Sequence, residues 1–474
     1  MSAVLAASAA SGAINFQWWQ SVVVMAVCAV GALLAQQALA VFNDGVRPFL
    51  LDFIQGRTTR PAMAAIAFGL SAGFIFGLGA PMALSTTVLN PWLIFLPVEI
   101  LGLLAPRRWI AAIAGIAWGA VCSYGLAGAT TLAGELPVDF LSALTAMSDP
   151  ILWLFCLFPV LAIARQFGKA WGGIAFGAEL VVVVFFVKAG EWWGWSIFAP
   201  SVAMAVGVVL LLVLAVRTDL RARAAQKAEL LELARTSGQA AADEAVRARA
   251  ESEAVVDELF GPNAARLRRH TPWFMVLGAG VAMVAASGIF GGGEATSFLI
   301  AQGDFTGAAS MDLVRVLGFV PLIVTTALAS GAYAMAGITI VYPVGYLLAG
   351  SGLPLGVTLA LAAIAGAAIF GVEISAVSFI GKWLGRWPSI RDSSDHIRSG
   401  ITESLGLAIL VGSLMAANAL GGGMAMLIVG GLYLVNEAMG RPVVRMAAGP
   451  AAVLVAGVLL NLLYWANLFT PVGG

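Results

Sequence analysis

Long apolar runs recur along almost the whole 474-residue chain and limit what it can fold into. A helix needs roughly 20 mostly apolar residues to cross about 30 Å of hydrocarbon, since each residue rises about 1.5 Å. Hydrophobic residues make up 61% of the chain and charged residues 11%, whereas soluble domains carry about 25% charged residues. The sequence therefore predicts an all-α, polytopic membrane protein.

The apolar runs form two groups that are separated by a polar interruption. Prolines and glycines fall inside several runs, so some helices are expected to be broken or re-entrant, and we predict about 12 to 14 crossings. The runs lie near 18–42, 61–80, 82–104, 109–131, 149–166, 170–189 and 195–216, and then near 272–290, 312–331, 333–350, 355–381, 401–420, 422–440 and 447–467.

Basic residues in short loops mark the cytoplasmic side of a membrane protein. In a fourteen-span arrangement, every Lys and Arg except Lys188 and Arg315 lies on one face. We predict that this face is cytoplasmic. Both termini are then outside.

Seven spans on each side of the interruption would give the two groups opposite orientations. The sequence thus predicts an N-terminal membrane half (1–216), a cytoplasmic helical linker (217–270) and a C-terminal membrane half (271–474). Inverted halves are common in secondary transporters, whose solute site lies at their interface near the midplane. The alternative is an accidental parity, because the halves show no visible sequence similarity.

The linker is rich in Ala, Glu and Arg, which favour helices. Thr236, Ser237 and Gly238 separate its two helical stretches. Two interpretations stay open: a helical hairpin that joins the halves, or a docking surface for a soluble partner.

Ionisable residues inside membrane spans are expensive and therefore mark functional sites. Glu99 and Glu373 lie in strongly apolar sequence, and Glu179 is a third such residue. Each could carry a proton or bind a cation, or it could be a structural residue that bonds a neighbouring helix. Glu99 and Glu373 are our candidates for ion binding.

Two apolar stretches bounded by prolines contain hydroxyl and amide side chains. Broken helices of this kind are tolerated where protein or a water-filled cavity satisfies the freed backbone groups. The hydroxyls could bind a solute or a cation, or they could cap carbonyls of their own helix. The candidates are Thr86, Thr87 and Asn90 between Pro81 and Pro91, and Thr325 and Thr326 between Pro321 and Pro343.

Two predicted helix ends on the cytoplasmic side share a pattern of Asn, an acidic residue and Arg-Pro. These polar clusters could gate or bind, or they could simply end a helix with a salt bridge. Their residues are Asn43, Asp44 and Arg47 in one, and Asn436, Glu437 and Arg441 in the other.

Gly69, Gly73 and Gly77 recur at four-residue spacing. Such a ridge of small residues lets two helices approach closely, so we interpret it as a packing surface.

Other function classes find no support in the sequence. The formal net charge is zero, which gives no reason to expect a nucleic-acid partner. The three cysteines, Cys28, Cys122 and Cys156, lie apart in apolar runs and do not form a metal motif. HExxH and Walker motifs are missing, so we predict neither an enzyme nor a bound metal or cofactor.

At several of these segments the chain resembles the YhfT family of bacterial inner-membrane proteins. The matching stretches are AVFNDGVRPFL, LNPWLIFLPVEILGLL, LGFVPLIVTTALASGAYAMAGITIVY, GKWLGRWPSIRDSSDHIRSG and NEAMGRPVVRMAAGP. The resemblance covers nearly the whole chain apart from parts of the linker. It implies a transport protein and carries over no functional residues.

A fainter likeness links SDHIRSGITESLGLAILVGS to membrane subunits of galactitol- or ascorbate-type sugar phosphotransferase systems. It implies an elevator-type movement. A carrier of this type needs a fixed scaffold, and closed two-fold symmetry is the commonest oligomer type, so we expect a homodimer.

Taken together, these patterns predict a secondary active transporter that moves a small polar solute and is coupled to H⁺ or Na⁺. The solute is expected between the halves, near the broken segments, with Glu99 and Glu373 close by. The alternatives are the membrane subunit of a phosphotransferase-type group-translocation system and a non-transport membrane scaffold or channel.

Overall fold

The computed structural model describes residues 16–195 and 197–471, and most of this chain is helical. The first part contains α1 (Trp18–Gln36), β1 (Ala40–Val41), α2 (Arg47–Ile54), α3 (Arg60–Phe74), α4 (Ala80–Thr86), α5 (Pro91–Leu104), α6 (Arg108–Ala120), α7 (Leu126–Gly134), α8 (Phe140–Thr145), α9 (Ser148–Leu154), α10 (Phe158–Phe167) and α11 (Lys169–Trp193). Short π-helical turns, Ile75–Gly79 and Val121–Gly125, continue α3 into α4 and α6 into α7, and the 3₁₀ turn Phe155–Leu157 joins α9 to α10.

The second part begins with two long helices, α12 (Ala199–Ser237) and α13 (Gln239–Arg269). The remaining elements are α14 (Thr271–Ala286), α15 (Glu294–Ala301), α16 (Phe305–Ser330), β2 (Tyr333–Ala334), α17 (Met335–Ile338), α18 (Tyr342–Ala349), α19 (Leu355–Gly385), α20 (Pro388–Ala438) and α21 (Arg445–Trp465).

Ten helical segments of the described chain are long and apolar enough to cross a membrane. Pro91–Leu104, Thr271–Ala286 and Met335–Ala349 are apolar but shorter. The helix α20 contains a break, since the backbone at Gly421 and Gly422 is not helical. The prediction of an all-α, polytopic membrane protein is confirmed.

The predicted span at 82–104 does not match the helices of the structure. The sequence placed a span at 82–104, whereas the helix that enters at Arg60 continues to Thr86, and α5 begins at Pro91. Thr87 takes a left-handed backbone conformation with φ of 58°, which ends α4. The side chain of Asn90 then accepts a hydrogen bond from the Leu93 amide and caps α5.

The polar interruption does not start a new helix. The helix α12 runs without a break from the apolar segment into the linker, because strong helix formers fill the chain up to Ser237. It ends at Gly238, whose positive φ of 89° suits glycine. From there α13 returns along α12 as far as Arg269.

Two short parallel pairings join distant parts of the chain. The strand β1, which follows α1, pairs with β2, which follows α16. Leu89, which follows α4, bridges Phe290, which follows α14. The Tyr333 amide donates to the Leu39 carbonyl over 2.7 Å, and the Leu89 amide donates to the Ile289 carbonyl over 2.8 Å.

Two of the four helices that precede these pairings, α1 and α14, have similar neighbours. The helix α1 packs against α5 and α6, whereas α14 packs against α18 and α19, and α1 and α14 contact each other. Glycines allow the closest crossings: Gly278 of α14 faces Gly366 of α19, and a Cβ on either would overlap the carbonyl oxygen of the other. Both pairings are thereby held at the centre of the helical assembly.

The C-terminal part of the linker is tied to the same region. The Arg266 guanidinium donates to the carbonyl oxygens of Gln37 over 2.8 Å and Gly331 over 3.4 Å. The Asn263 amide donates to the Leu328 carbonyl over 2.7 Å. These bonds satisfy carbonyl groups at the ends of α1 and α16, which a helix cannot satisfy by itself.

Candidate functional site

A cavity of about 230 Å³ lies beside both parallel pairings. Within two residues after each of the four paired segments, the chain lines this cavity. The lining residues are 42–44 after β1, Pro91 and Trp92 after Leu89, Gly292 after Phe290, and Met335 and Ala336 after β2. We call this space the central cavity. Because its wall is built where four helices have just ended, backbone groups as well as side chains surround it.

A buried charged cluster forms one part of this wall. Glu294 and Arg315 line the cavity and are 3% and 7% exposed, and Asp312 behind them is fully buried. Arg315 Nη2 lies 2.8 Å from Asp312 Oδ1 and donates to the Gly292 carbonyl over 2.8 Å. The Tyr346 hydroxyl donates to Asp312 Oδ2 over 3.2 Å and accepts from the Gly292 amide over 2.6 Å.

Several polar atoms of this wall have no hydrogen-bond partner within the described residues. They are Glu294 Oε1, Arg315 Nε and the Tyr342 hydroxyl oxygen. Buried polar groups are normally bonded, and an unbonded one is costly. The wall of the central cavity therefore contains buried polar atoms whose hydrogen-bonding capacity is unused within the described residues.

A more exposed ion pair lines the same cavity. Arg398 Nε lies 4.0 Å from Asp44 Oδ2, and the side chains are 41% and 30% exposed. At this distance the pair is loose, so its hydrogen-bonding groups are free to contact a solute. The central cavity thus combines a sealed charged cluster with an accessible one.

A second cavity of about 420 Å³ adjoins the central one, since Leu322 lines both. Arg47, Thr325 and Asp395 are among its lining residues. The Arg47 guanidinium also donates to the Thr326 hydroxyl. The two Thr residues predicted in this segment therefore lie beside the second cavity rather than in the central one.

Of the predicted polar clusters, the first one reaches the site. Asn43 and Asp44 line the central cavity, and Arg47 lines the second. The residues of the other cluster instead bond neighbouring residues of the same segment.

In that other cluster, the Asn436 side chain bonds both backbone groups of Val443 over 2.9 and 2.8 Å. Glu437 pairs with Arg441 over 2.8 Å and with Arg445 over 2.9 Å. These contacts are those expected of a helix end that is stabilised by side chains.

The predicted residues of the first broken segment bond their own backbone. The Thr86 hydroxyl donates to the Met82 carbonyl over 2.6 Å, and the Asn90 amide donates to the Gly79 carbonyl over 2.7 Å. Among the described residues that line the central cavity, Thr86, Thr87 and Asn90 are not present.

The structural counterpart of Thr86 is Ser330. Ser330 donates to the carbonyl four residues earlier over 2.7 Å and accepts from the Ala332 amide over 3.2 Å. Thr86 does the same with Met82 and with the Val88 amide, the latter over 3.3 Å. The following residues, Thr87 and Gly331, both have positive φ. Thr86–Thr87 therefore matches Ser330–Gly331, not Thr325–Thr326.

Glu99 lies one residue away from the cavity. It is 1% exposed, and its carboxylate accepts a hydrogen bond from the Asn43 amide over 2.9 Å. Because Asn43 lines the central cavity, Glu99 holds part of the cavity wall in place.

Glu373 does not line the central cavity. It is 9% exposed, and its carboxylate interacts with the Tyr333 hydroxyl, although neither group meets a partner at hydrogen-bonding geometry within the described chain. The Tyr333 hydroxyl is packed against Gly337. Tyr333 does not line the central cavity either, whereas Met335 and Ala336 of α17 do.

Sequence reasoning missed Glu294, Asp312, Arg315, Tyr342 and Tyr346. The predicted spans ended at 290 and began again at 312, which put Glu294 in a loop and Arg315 near a helix end. In the structure α16 begins at Phe305, where the Asp304 side chain caps it, so Asp312 and Arg315 lie one turn apart inside the helix. Their three-residue spacing, which places opposite charges side by side on a helix, was the available signal.

Comparison with known proteins gives the same family as the sequence motifs. Residues 20–469 match the YhfT family, which is described as a protein of unknown function. The uncharacterized protein YhfT of Escherichia coli (strain K12) is 37% identical over 464 residues, which cover 95% of this chain and 99% of that protein. No solved structure matches the chain. A match over nearly the full length of both proteins shows that this chain belongs to the YhfT family.

Proposed function

We propose that the protein is a secondary active transporter that binds a small polar solute in the central cavity and moves it across the bacterial inner membrane. The observation that carries this proposal is the buried cluster of Glu294, Asp312 and Arg315 beside a cavity among apolar helices. Charged side chains are expensive at such a position and mark substrate or ion pathways in membrane proteins.

The arrangement of helices supports two halves of opposite orientation. Each half would contribute one helix that ends in a positive-φ residue, Ala38 after α1 and Gly288 after α14. Each of these helices is followed by a residue that pairs with the other half. Inverted halves bind their solute at the repeat interface between broken helices, which is where the central cavity lies.

The distribution of basic residues supports a cytoplasmic position for the linker and for the second cavity, which Arg47 and Arg391 line. In this arrangement the solute reaches the central cavity from the cytoplasm through the second cavity. Glu99 and Glu373 are then proposed to support ion coupling from behind the cavity wall. An elevator-type movement and a homodimer stay predictions.

The orientation can be tested with single cysteines. We expect Ser237→Cys to react with a membrane-impermeant maleimide only from the cytoplasmic side, and Ser351→Cys only from outside. Both positions are exposed, whereas Cys28, Cys122 and Cys156 are buried and should stay unlabelled. Labelling of position 237 in intact cells would contradict the proposed orientation, as would an N-terminus inside the cell.

Transport itself can be tested with purified protein in liposomes and a panel of small polar solutes. We expect uptake of a solute that stops when an ionophore collapses the H⁺ or Na⁺ gradient. Arg398→Gln should reduce this uptake at least about tenfold, equivalent to about 1.4 kcal/mol of lost binding, since Arg398 lines the central cavity. Arg165→Gln removes an equally exposed ion pair, with Glu403, and is the matched control.

Three results would count against the proposal. Uptake that requires a phosphorylated soluble partner would indicate group translocation. Uptake that only follows the solute gradient would indicate a channel. Equal loss of uptake in Arg398→Gln and Arg165→Gln would mean that the central cavity is not the binding site.

A further inference from the structure

We propose that Glu294 binds one positive charge in the central cavity and is the ion-binding residue of the transporter. The charge can be a proton, an alkali cation or the ammonium group of an amine. This inference rests on the proposed function and adds to it the residue and the charge of the ligand.

The charges around the cavity leave Glu294 without a counter-charge of its own. Asp312 and Arg315 form a close pair on α16, at 2.8 Å. Asp44 and Arg398 form the second, looser pair across the cavity. Among the described charged residues that line the cavity, together with Asp312 behind them, three are acidic and two are basic, so Glu294 leaves one negative charge uncancelled there.

An isolated buried charge is strongly unfavourable unless it is paired and hydrogen-bonded. Glu294 is 3% exposed, and its Oε1 atom has no hydrogen-bond partner within the described residues. The neighbouring polar groups from α18 are the hydroxyls of Tyr342 and Tyr346, which carry no charge. A bound positive charge would supply the missing compensation.

The shape of the site also fits a small ligand. Tyr342 lines the same cavity as Glu294, and its buried hydroxyl has no hydrogen-bond partner within the described residues, so its oxygen is unused. Gly292 and Gly293 approach so closely that a Cβ at either would overlap Tyr342 or Arg315. Oxygen atoms are the ligands that hard cations prefer, and the Glu294 carboxylate equally suits a proton or an ammonium group.

The test measures binding by thermal unfolding of the full-length protein in nanodiscs. Sodium chloride and methylammonium chloride are each compared at equal ionic strength with tetraethylammonium chloride, a bulky cation without an N–H donor, and each series is repeated from mildly acidic to mildly basic pH. We expect at least one ligand to raise Tm by about 2 °C or more in the wild-type protein. A sodium effect, a methylammonium effect or a pH effect alone identifies the source of the charge.

Three variants assign the effect to Glu294. Glu294→Gln keeps the shape and removes the charge, so the ligand or pH dependence of Tm should disappear. Glu294→Asp keeps the charge and should retain a weaker dependence. Glu179→Gln is the matched control, because the buried Glu179 carboxylate also has no hydrogen-bond partner within the described residues but packs against Gly207 and does not line the cavity.

The inference is overturned when none of the three conditions changes the Tm of the wild-type protein, or when Glu294→Gln keeps the full dependence. Should Glu294→Gln fail to fold, Glu294→Asp against Glu179→Gln decides the question. These outcomes differ from a failure of the proposed function: gradient-driven uptake that Glu294→Gln leaves unchanged would keep the transporter and remove this site. A cation effect on Tm without uptake of any solute would keep this site and remove the transporter.

Discussion

Replacing Arg315 with Leu is expected to lower the free energy of unfolding by about 3–5 kcal/mol, because it leaves a buried charge unpaired. Arg315 is the cationic member of the cluster in the central cavity, and its partner Asp312 has no exposed side-chain surface. With Arg315 gone, Asp312 and Glu294 would both be buried without a cation. Titration with sodium dodecyl sulfate in mixed micelles, followed by circular dichroism, measures the loss.

A second variant and a control show whether pairing is the cause. Changing Asp312 and Arg315 together to Leu should recover most of the loss, since an apolar pair of similar volume can replace a buried ion pair. Lys188 and Glu191 have the same three-residue spacing and lie 2.7 Å apart, but both are about half exposed. Lys188→Leu should therefore cost less than about 1 kcal/mol. Equal losses at Arg315 and Lys188 would contradict the argument.

Replacing Gly77 with Leu is expected to cost about 3 kcal/mol or more, at the upper end of the range for overpacking. Gly77 lies in the π-helical turn after α3 and is buried against the start of α21. A Cβ at this position would overlap both the carbonyl oxygen and the Cβ of Ala447. Because backbone atoms cannot rotate away as a side chain can, α21 would have to move.

Gly69 provides the matched control for this prediction. It belongs to the same four-residue repeat, yet a Cβ at Gly69 would meet nothing within 4 Å. Gly69→Leu should leave the free energy of unfolding within about 0.5 kcal/mol of the wild-type value. Detergent-resistant folding of both variants, compared by the same titration, tests the difference. Equal effects at the two positions would mean that the close contact with Ala447 does not matter.

The three glycines of the sequence repeat have different surroundings in the structure, although their spacing is regular. Spacing alone indicated one packing ridge. In the structure a Cβ at Gly77 would overlap Ala447, a Cβ at Gly73 would meet Val444 at an ordinary 3.4 Å, and a Cβ at Gly69 would meet nothing within 4 Å. Helical periodicity places the three residues on one face. It does not tell where the neighbouring helix ends.

The sequence by itself determined the membrane character of the protein, most of its long helices and the helical nature of the linker. These properties depend on local features, namely the length of apolar runs, helix propensity and breaks such as Gly238. The sequence also singled out Asn43 and Asp44, which line the central cavity, because a polar pattern at a helix end is visible in a few consecutive residues.

Only the tertiary structure decided which polar residues meet. Glu294, Arg315 and Arg398 come from three separate segments, and the parallel pairings and helix crossings bring them to one cavity. The same long-range packing brings the Glu373 carboxylate to the Tyr333 hydroxyl rather than to the central cavity. Which buried charge gains a partner depends on contacts between residues far apart in the chain, and a linear pattern contains no record of those contacts.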